Sequence, residues 1–393
     1  MRTLRLSLAG TVTFGLLAGL VVGSAPLLAS QDAIIVAQDG SGAHTTISAA
    51  VDAASDGDTI LVQPGTYDES VLVSKDITIR GDGDRAAVVV ELSEELTPGL
   101  GWDDPGLPHA FRFEDCAATL ENLTLRGESS RISITGGAPT LRGLSLESVG
   151  YDYDPVENKN FHLTIGLEIM DGSVAILRDS TVVDTDLMID SGASPTIEGN
   201  QLIGGLVFVQ GDGVSPVIRD NVFEDNHVDG IWISGGATPE VVGNTIVGAV
   251  QEGISVKDPA FPDGALDTGT HAFLRDNTFR DCVRGVFLAP KAAATLEDNE
   301  FLGNDIAITI DDAEALISGN VIHDNGGGIF VERGAPVLED NSISGNNSGL
   351  GLARPAKPIL SGGNVICDNG TNIRLMKGAE MPSVEGNDIC ADA

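Results

Sequence analysis

Basic side chains are scarce in this sequence. Only 22 Lys and Arg stand against 58 Asp and Glu, which gives a net charge of −36 over 393 residues. A charge of this size and sign disfavours nucleic acid and anionic membrane surfaces as partners. It is typical of a solvated acidic surface, and it is also compatible with cation binding.

Several motifs are missing as well. From residue 118 onward no segment keeps apolar residues at i, i+3 and i+4 for three helical turns. The 4 cysteines and 6 histidines show no zinc-binding spacing, and no phosphate-binding loop or nucleophile motif occurs. We therefore expect neither a helical domain nor a bound metal, with Ca²⁺ on acidic turns as the one cation left open.

The first 30 residues differ from the rest of the chain. Arg2 and Arg5 precede an uncharged apolar run over residues 6–29. This pattern predicts a signal peptide or an N-terminal membrane anchor over residues 1–30. We favour export with cleavage, which predicts a secreted, periplasmic or cell-surface protein whose remaining domain covers residues 31–393.

A repeat of 20 to 23 residues dominates the remaining sequence. Asparagines recur at one position of the repeat, and a second set follows five residues behind them. The two sets are Asn200, Asn221, Asn244, Asn277, Asn299, Asn320, Asn341, Asn364 and Asn387, and then Asn304, Asn325, Asn346 and Asn369. Upstream, the first position is held by Ser180, Gly143 and Asn122. The steps from Gly143 to Ser180 and from Asn244 to Asn277 are longer, which predicts insertions at residues 151–161 and 257–270. Such a period is typical of stacked coils.

Each repeat contains three short runs rich in β-branched residues, separated by Gly, Pro and Asn. These runs predict three strands per coil and about a dozen coils. Stacked parallel strands lie about 4.8 Å apart, so equivalent residues of successive coils form columns. The predicted fold class is all-β, a single-stranded parallel β-helix whose inward columns form an apolar core.

Two elements are predicted to close the ends of the solenoid. Residues 46–54 form a short amphipathic helix with Ile47, Val51 and Ala54 on one side, which would cap the first coil. Cys367 and Cys390 each follow a ladder asparagine by three residues, so adjacent coils bring them within disulfide range. A pair of buried thiols is the alternative.

The segment from Ala33 to Gly83 resembles the N-terminal segment of pectin methylesterases and related pectin-lyase-like β-helix proteins. The resemblance rests on the line from Ile35 to Gly42, on residues 57–67, and on Ile77-Thr78-Ile79-Arg80-Gly81. The later repeats resemble right-handed β-helix repeat proteins of the NosD type. These resemblances imply a right-handed coil, and they are poor guides to activity.

Candidate catalytic residues come from the densest polar cluster, which contains Asp225, His227 and Asp229. Residues 228–233 resemble a pectin methylesterase strand, in which Asp229 would be the nucleophile. No arginine is recognised in phase one or two coils later, so a turn aspartate beside Gly230 is the simpler interpretation. Asp225 belongs to a set of acidic turn residues.

Candidate binding residues are outward aromatics on one sheet, Trp232, Phe287 and Phe330, together with Trp102 on a loop rich in Gly and Pro. The outward row is assigned as Glu168, Met188, Val207, Trp232, Ser255, Phe287, Ala307, Phe330, Gly351 and Arg374. Aromatic rings in such a row can stack on sugars or contact a protein. Cover by a loop or by the C-terminal tail is the alternative.

The leading functional hypothesis is therefore an exported monomer that binds polysaccharide or an extracytoplasmic protein along one sheet face. A carbohydrate-active enzyme, whether pectin esterase, polysaccharide lyase or glycoside hydrolase, is the first alternative, and catalysis is left open. A NosD-like accessory factor in metal-centre maturation is the second. Nucleic acid is not an expected partner, and a membrane contact is expected only through residues 6–29.

Overall fold

Short parallel strands stacked in register organise the structure, a computed structural model that describes residues 33–92, 109–127, 131–148, 165–257 and 269–392. The strands form three sheets of 14, 13 and 14 members, so the solenoid has about 14 turns, slightly more than the dozen coils predicted from the repeat. Every strand pair is parallel, for example Ile317 beside Leu338. The predicted all-β solenoid is confirmed.

The first sheet comprises Ile34–Val36, Thr59–Val62, Thr78–Gly81, Thr119–Glu121, Thr140–Arg142, Ile176–Arg178, Thr196–Glu198, Val217–Arg219, Glu240–Val242, His271–Arg275, Ala293–Glu297, Glu314–Ser318, Val337–Glu339 and Ile359–Gly362. The second sheet comprises Val71–Val73, Phe111–Glu114, Ile132–Thr135, Ile165–Met170, Asp186–Ile189, Val207–Gln210, Ile231–Ser234, Glu252–Lys257, Arg284–Leu288, Ile306–Asp311, Gly327–Arg333, Ser348–Leu352 and Ile373–Leu375. The third sheet comprises Gly65–Tyr67, Val88–Val90, Thr124–Arg126, Ser145–Glu147, Thr181–Val183, Gln201–Ile203, Val222–Glu224, Thr245–Val247, Thr278–Arg280, Glu300–Leu302, Val321–His323, Ser342–Ser344, Val365–Ile366 and Asp388–Ile389.

The asparagine ladder joins the coils at the turn from the first to the third sheet. Asn320 donates its side-chain amide to the Oδ1 atom of Asn341 at 3.0 Å, and it accepts the same bond from Asn299. Its amide also donates to the carbonyls of Leu296 and Ser318. The side chains are buried, so each amide satisfies backbone groups that the turn would otherwise leave without partners.

The residue before each ladder asparagine is Gly or Asp with a left-handed φ, such as Asp220 at 56° and Gly243 at 66°. The two types alternate from coil to coil over much of the ladder for a steric reason. A Cβ atom on Gly243 would lie 2.8 Å from the carboxylate of Asp220 in the preceding coil. An aspartate in one turn therefore favours a glycine in the next coil, and Asp276 followed by Asp298 is the exception.

The N-terminal cap is an α-helix, Ile47–Ala53, that packs against the first strands with Ile47, Ala50 and Val51 buried. The carboxylate of Glu69 accepts hydrogen bonds from the backbone N–H groups of Ile47 and Ser48 at the helix N-terminus. The ammonium group of Lys75 donates to three carbonyls at the opposite end. Both charges complement the helix dipole, and the predicted capping helix is confirmed. A 3₁₀ turn, Arg85–Ala87, follows.

At the other end of the solenoid a disulfide joins Cys367 and Cys390, whose Cα atoms are 4.9 Å apart. Cys116 and Cys282 are free and buried. The predicted signal or anchor segment, Trp102 and its loop, the insertion at residues 151–161 and most of the second insertion lie outside the described residues. None of the helices in the described ranges has the length and apolar character to cross a membrane.

Replacing Asn320 with Ala tests the ladder. We expect the free energy of unfolding to fall by about 2–4 kcal/mol, because the change leaves buried donors of Asn299 and the Leu296 carbonyl without partners. Denaturant unfolding followed by circular dichroism measures the effect. Asn347 is exposed, and Asn347→Ala should change stability by less than about 0.5 kcal/mol. Equal effects of the two substitutions would contradict this account of the ladder.

Candidate functional site

One row of side chains runs along the outward face of the second sheet. The register places the following residues beside one another: Leu72, Arg112, Ser133, Glu168, Met188, Phe208, Trp232, Ser255, Phe287, Thr309, Phe330, Gly351 and Arg374. This outward row contains the three described aromatics that the sequence predicted. Two of its predicted members, Val207 and Ala307, were wrong.

The two errors have different causes. From Gly230 to Gly349 small residues form an inward column at the start of the strands, because a Cβ atom on Gly253 would meet the Gly285 carbonyl at 2.6 Å. Ala307 occupies this column, so the outward residue of its coil is Thr309, two positions later. Val207 pairs with the inward Ile231, which makes Phe208 the outward residue.

Aromatic rings occur at every second coil of the outward row between Trp232 and Phe330, with hydroxyl side chains between them. Ser255 separates Trp232 from Phe287, and Thr309 separates Phe287 from Phe330. Each of these three rings is partly exposed. The ring of Phe330 lies over the next strand, where Gly351 leaves room for it.

Two of the rings carry cations. The ammonium group of Lys257 lies 3.5 Å from the centre of the Trp232 ring, and the guanidinium of Arg284 lies 4.8 Å from the centre of the Phe287 ring. Cation–π contacts of this kind are worth about 0.5–2 kcal/mol. Arg284 and Lys257 remain partly exposed, so they present positive charge at the surface of an acidic protein.

A pair of buried carboxyl groups lies behind these cations. Asp229 is fully buried, and Glu252 is 2% exposed. Asp229 accepts hydrogen bonds from the Ser255 hydroxyl and from the backbone N–H of Glu252, and the Lys257 ammonium lies 3.6 Å from its Oδ2 atom. Glu252 forms an ion pair with Arg284. We refer to Asp229, Glu252, Lys257 and Arg284 as the charged cluster.

Arg284 corrects the expectation that Asp229 has no arginine partner in phase. Glu252 and Arg284 are 32 residues apart in sequence but pair directly in the sheet. The second insertion lies between them, and it lengthens a coil without changing the register. A search at the usual repeat length therefore missed Arg284, because the insertion moves it further along the sequence while it stays in the adjacent coil. Asp229 is also not an exposed turn residue, since its carboxylate is buried against Ser255.

The charged cluster holds a proton at neutral pH. Burial raises the pKa of Glu252 to about 8, and the hydrogen bond to Asp229 and its negative charge add to the increase. The positive charges of Arg284 and Lys257 act in the opposite direction with smaller effect. Two neighbouring buried carboxyl groups cannot easily both ionise. Near pH 7 the cluster thus contains one carboxylate, one carboxylic acid and two cations.

Three stretches of the sequence match known families. Residues 33–99 match pectinesterase, residues 110–260 match the right-handed β-helix region, and residues 260–391 match NosD, described as a periplasmic copper-binding protein. These matches and the parallel three-sheet solenoid agree with the resemblances found in the sequence. The chain is a right-handed parallel β-helix with the pectin-lyase-like fold.

Comparison with curated proteins gives no matching sequence. Among solved structures, this β-helix is similar to the catalytic unit of the thermostable GH87 α-1,3-glucanase from Streptomyces thermodiastaticus strain HF3-3. That pair has a TM-score of 0.60 and 15% identity, over 91% of this chain and 69% of the other. A double mutant of the periplasmic alginate epimerase AlgG gives a TM-score of 0.54 and 14% identity, over 86% and 84% of the chains. Identities this low concern the fold alone.

Asp225 and His227, the other two predicted catalytic residues of the β-helix, have different surroundings from Asp229. Asp225 has a left-handed φ of 51° in the turn between the third and second sheets. Its carboxylate fills the space where a Cβ atom on Gly248 would lie, 2.9 Å away. His227 lies 3.2 Å from the Asp184 carboxylate of an earlier coil. Asp225 therefore has the structural role of the other turn aspartates.

A second group of charges, missed in the sequence, lies on the same face nearer the N-terminus. Arg131 is 5% exposed, and its Nε and Nη1 atoms have no hydrogen-bond partner among the residues that the structure describes. Burial lowers the pKa of Arg131, and the nearby charge of Glu168 opposes this shift. His109 lies 3.8 Å from the carboxylate of Glu168. Arg131 stands outside the repeat pattern, so only its neighbours in space reveal it.

The described ranges contain no close group of three carboxylate ligands that would support the predicted Ca²⁺ site. There, the only close group of three ligand-type side chains is Cys367, Asp388 and Cys390. Its two sulfur atoms are bonded to each other, so they are not free to coordinate a metal ion. Glu224, near the predicted catalytic residues, instead accepts a hydrogen bond from the side chain of Gln201.

Glu252→Gln tests the shared proton. The folded protein holds this proton up to about pH 8, whereas a glutamate in the unfolded chain loses it near pH 4.5. The Glu252 contribution to stability is therefore complete below about pH 4.5 and is lost as the pH rises toward 8. We expect the stability of Glu252→Gln relative to wild type to increase over that interval, measured by denaturant unfolding at pH 5, 7 and 9.

The matched control is Glu339→Gln, which changes an exposed glutamate on the first sheet. Its stability relative to wild type should be the same at pH 5, 7 and 9. A pH-independent difference for Glu252→Gln as well would show that Glu252 ionises normally in the folded protein.

Proposed function

We propose that this protein is an exported β-helix that binds an acidic polysaccharide along the outward face of the second sheet. The observation that carries the proposal is the pair of cations held on aromatic rings, Lys257 on Trp232 and Arg284 on Phe287. Each pair combines an apolar surface with a positive charge, which suits a uronic acid unit with its ring and its carboxylate.

The charge balance supports an anionic ligand. With Glu252 protonated near neutral pH, the two cations exceed the one carboxylate of Asp229, so the cluster carries a net charge of about +1. The whole chain carries −36. A local positive site on an acidic protein orients an anionic chain to that place.

The geometry of the face supports a polymer. Successive coils lie about 4.8 Å apart, which is close to the length of one sugar unit. Partly exposed aromatic rings recur at every second coil from Trp232 to Phe330, so stacking positions for sugar rings repeat along the face.

Two further facts agree with a role on exported polysaccharide. Residues 6–29 carry no charge and follow two arginines, as in secretory signals. Solved structures that share the fold are named for an α-1,3-glucanase and an alginate epimerase. The fold alone does not carry activity across such distances, so the proposal depends on the side chains of the outward row and the charged cluster.

Binding of polygalacturonate, measured by isothermal titration calorimetry at pH 7, tests the proposal. Trp232→Ala and Phe287→Ala should each weaken binding by about tenfold, since each removes an aromatic surface and frees a cation from its position. Binding should also weaken from pH 7 to pH 9, because Glu252 ionises with a pKa of about 8 and cancels the positive charge.

Val321→Ala is the control, since Val321 is an exposed apolar residue on the third sheet. It should change the affinity by less than about twofold. Fully methyl-esterified polygalacturonate, which lacks the charge, should bind more weakly than the acid. An aromatic substitution without effect, or equal binding of both polymers, would contradict the proposal.

A second candidate function is hydrolysis of an ester on the bound polysaccharide, and the neighbouring buried carboxyl groups of Asp229 and Glu252 favour it. Glycoside hydrolases separate their two carboxyl groups by about 5 Å or more to flank a glycosidic bond, whereas Asp229 accepts a hydrogen bond from the backbone N–H of Glu252, so these two residues are direct neighbours. In an ester reaction, Asp229 would accept a proton from water as the water attacks the carbonyl carbon. Glu252 would donate its proton to the carbonyl oxygen. As the tetrahedral intermediate collapses, the C–O bond to the alcohol breaks, Asp229 returns its proton to the leaving oxygen and Glu252 takes its proton back, which releases the alcohol and a carboxylic acid.

Methanol or acetate release from methylated or acetylated pectin tests this candidate. Glu252→Gln should lower the rate by at least about 100-fold while the protein still binds polygalacturonate. Wild-type protein that releases neither product would leave binding as the function. The copper-related alternative is supported by the family match over residues 260–391, and within the described ranges the close sulfur ligands form the disulfide.

A further inference from the structure

A shallow groove of about 430 Å³ lies on a different face, the outward side of the first sheet. Its floor contains Phe273, which is 44% exposed and is the one aromatic among the strongly exposed large apolar side chains of the described residues. The ring of His271 stacks against Phe273, with centres 4.3 Å apart and planes 16° from parallel. The Phe273 ring thus lies in an open depression, and the stacked His271 ring lies outside the residues that line it.

Hydroxyl groups line one side of the groove. Ser215 and Thr238 stand in the two coils before Phe273, and Thr295 stands beside Phe273 in the next coil. The hydroxyl of Thr295 lies 3.2 Å from the Nε2 atom of His271. Burial lowers the pKa of His271, and the negative charge of Glu314 opposes this shift.

Charged side chains line the opposite side. Arg275 donates a hydrogen bond to Glu240 at 2.9 Å, and Glu297 lies beside Arg275 in the adjacent strand. The two carboxylates exceed the single guanidinium, so the groove carries a net charge of about −1. This charge disfavours an anionic ligand and contrasts with the net positive charge of the cluster on the second sheet.

We infer that this groove, the Phe273 groove, is a second ligand site that binds a neutral sugar, with a pyranose ring stacked on Phe273 and its hydroxyls toward Thr295 and Glu240. A flat apolar floor between hydroxyl and carboxylate groups is the arrangement that an amphipathic sugar ring requires. The outward positions that line the groove belong to Val217, Glu240, Phe273 and Thr295 in successive coils. At about 4.8 Å per coil they span about 14 Å, which is enough for two or three sugar units.

The Phe273 groove and the face of the second sheet have separate side chains. The inference does not depend on the proposed function, because no residue of the groove belongs to the outward row or to the charged cluster. Together with the proposed function, the inference means that one chain binds an acidic polymer on the second sheet and a neutral glycan on the first.

Titration of the full chain with cellotriose, laminaritriose and mannotriose, and with tri-galacturonic acid as the anionic counterpart, tests the inference by calorimetry. We expect at least one neutral trisaccharide to bind, and Phe273→Ala to weaken that binding by at least about tenfold. Phe273→Trp should keep the affinity within about threefold, since it retains an aromatic floor.

Ile359→Ala is the matched control, because Ile359 is exposed and stands in the same outward column of the first sheet, four coils beyond Phe273. It should leave binding within about twofold of wild type. Trp232→Ala should also leave it unchanged, which separates this site from the one on the second sheet. The inference is overturned if none of the neutral trisaccharides binds, or if Phe273→Ala binds them as wild type does.

Discussion

Register between successive coils is the constraint on which this structure depends. Parallel strands must stack at one spacing in three sheets at once, so a change of phase in one sheet would misalign the other two. The ladder asparagines fix that phase because each one bonds both its neighbour and the carbonyls of the strands beside it. Hydrophobic burial is non-directional and would allow a coil to slip, whereas the amide ladder specifies one alignment.

The same constraint explains how the outer surfaces acquire function. Inward columns are occupied by Ile, Leu and Val, and the corners by Asn, Asp and Gly, so little freedom remains there. Outward columns on a flat sheet have no packing role that demands one residue type. Side chains far apart in sequence, such as Glu252 and Arg284, become direct neighbours at coil spacing. The two faces discussed above therefore differ in charge although the same backbone repeats beneath them.

The sequence was sufficient for the fold and insufficient for the site. The asparagine period, the apolar triplets and the capping helix all follow from local rules, and the structure confirms them. The outward row was predicted correctly where a coil begins Gly-Ile-x-Val. It failed at Val207 and at Ala307, because a small residue other than glycine, or a shifted triplet, hides the phase.

The charged cluster could be predicted only in part for a related reason. Asp229 was selected from a local resemblance, but Glu252 and Lys257 lie one coil later and Arg284 lies beyond the second insertion, so only the stacking of coils brings them together. Burial then raises the pKa of Glu252, and no sequence pattern reports burial on an outward position. Phe273 had no signal at all, since a lone aromatic in a strand resembles any core residue.

The long step between Asn244 and Asn277 has a consequence for how such proteins diversify. Thirty-three residues separate these two asparagines, yet their side chains meet at 3.0 Å as the others do. Additional residues can thus be inserted into one coil while the coils on both sides keep their stacking. A new loop can then arise beside an existing sheet face while the coils that carry this face keep their register.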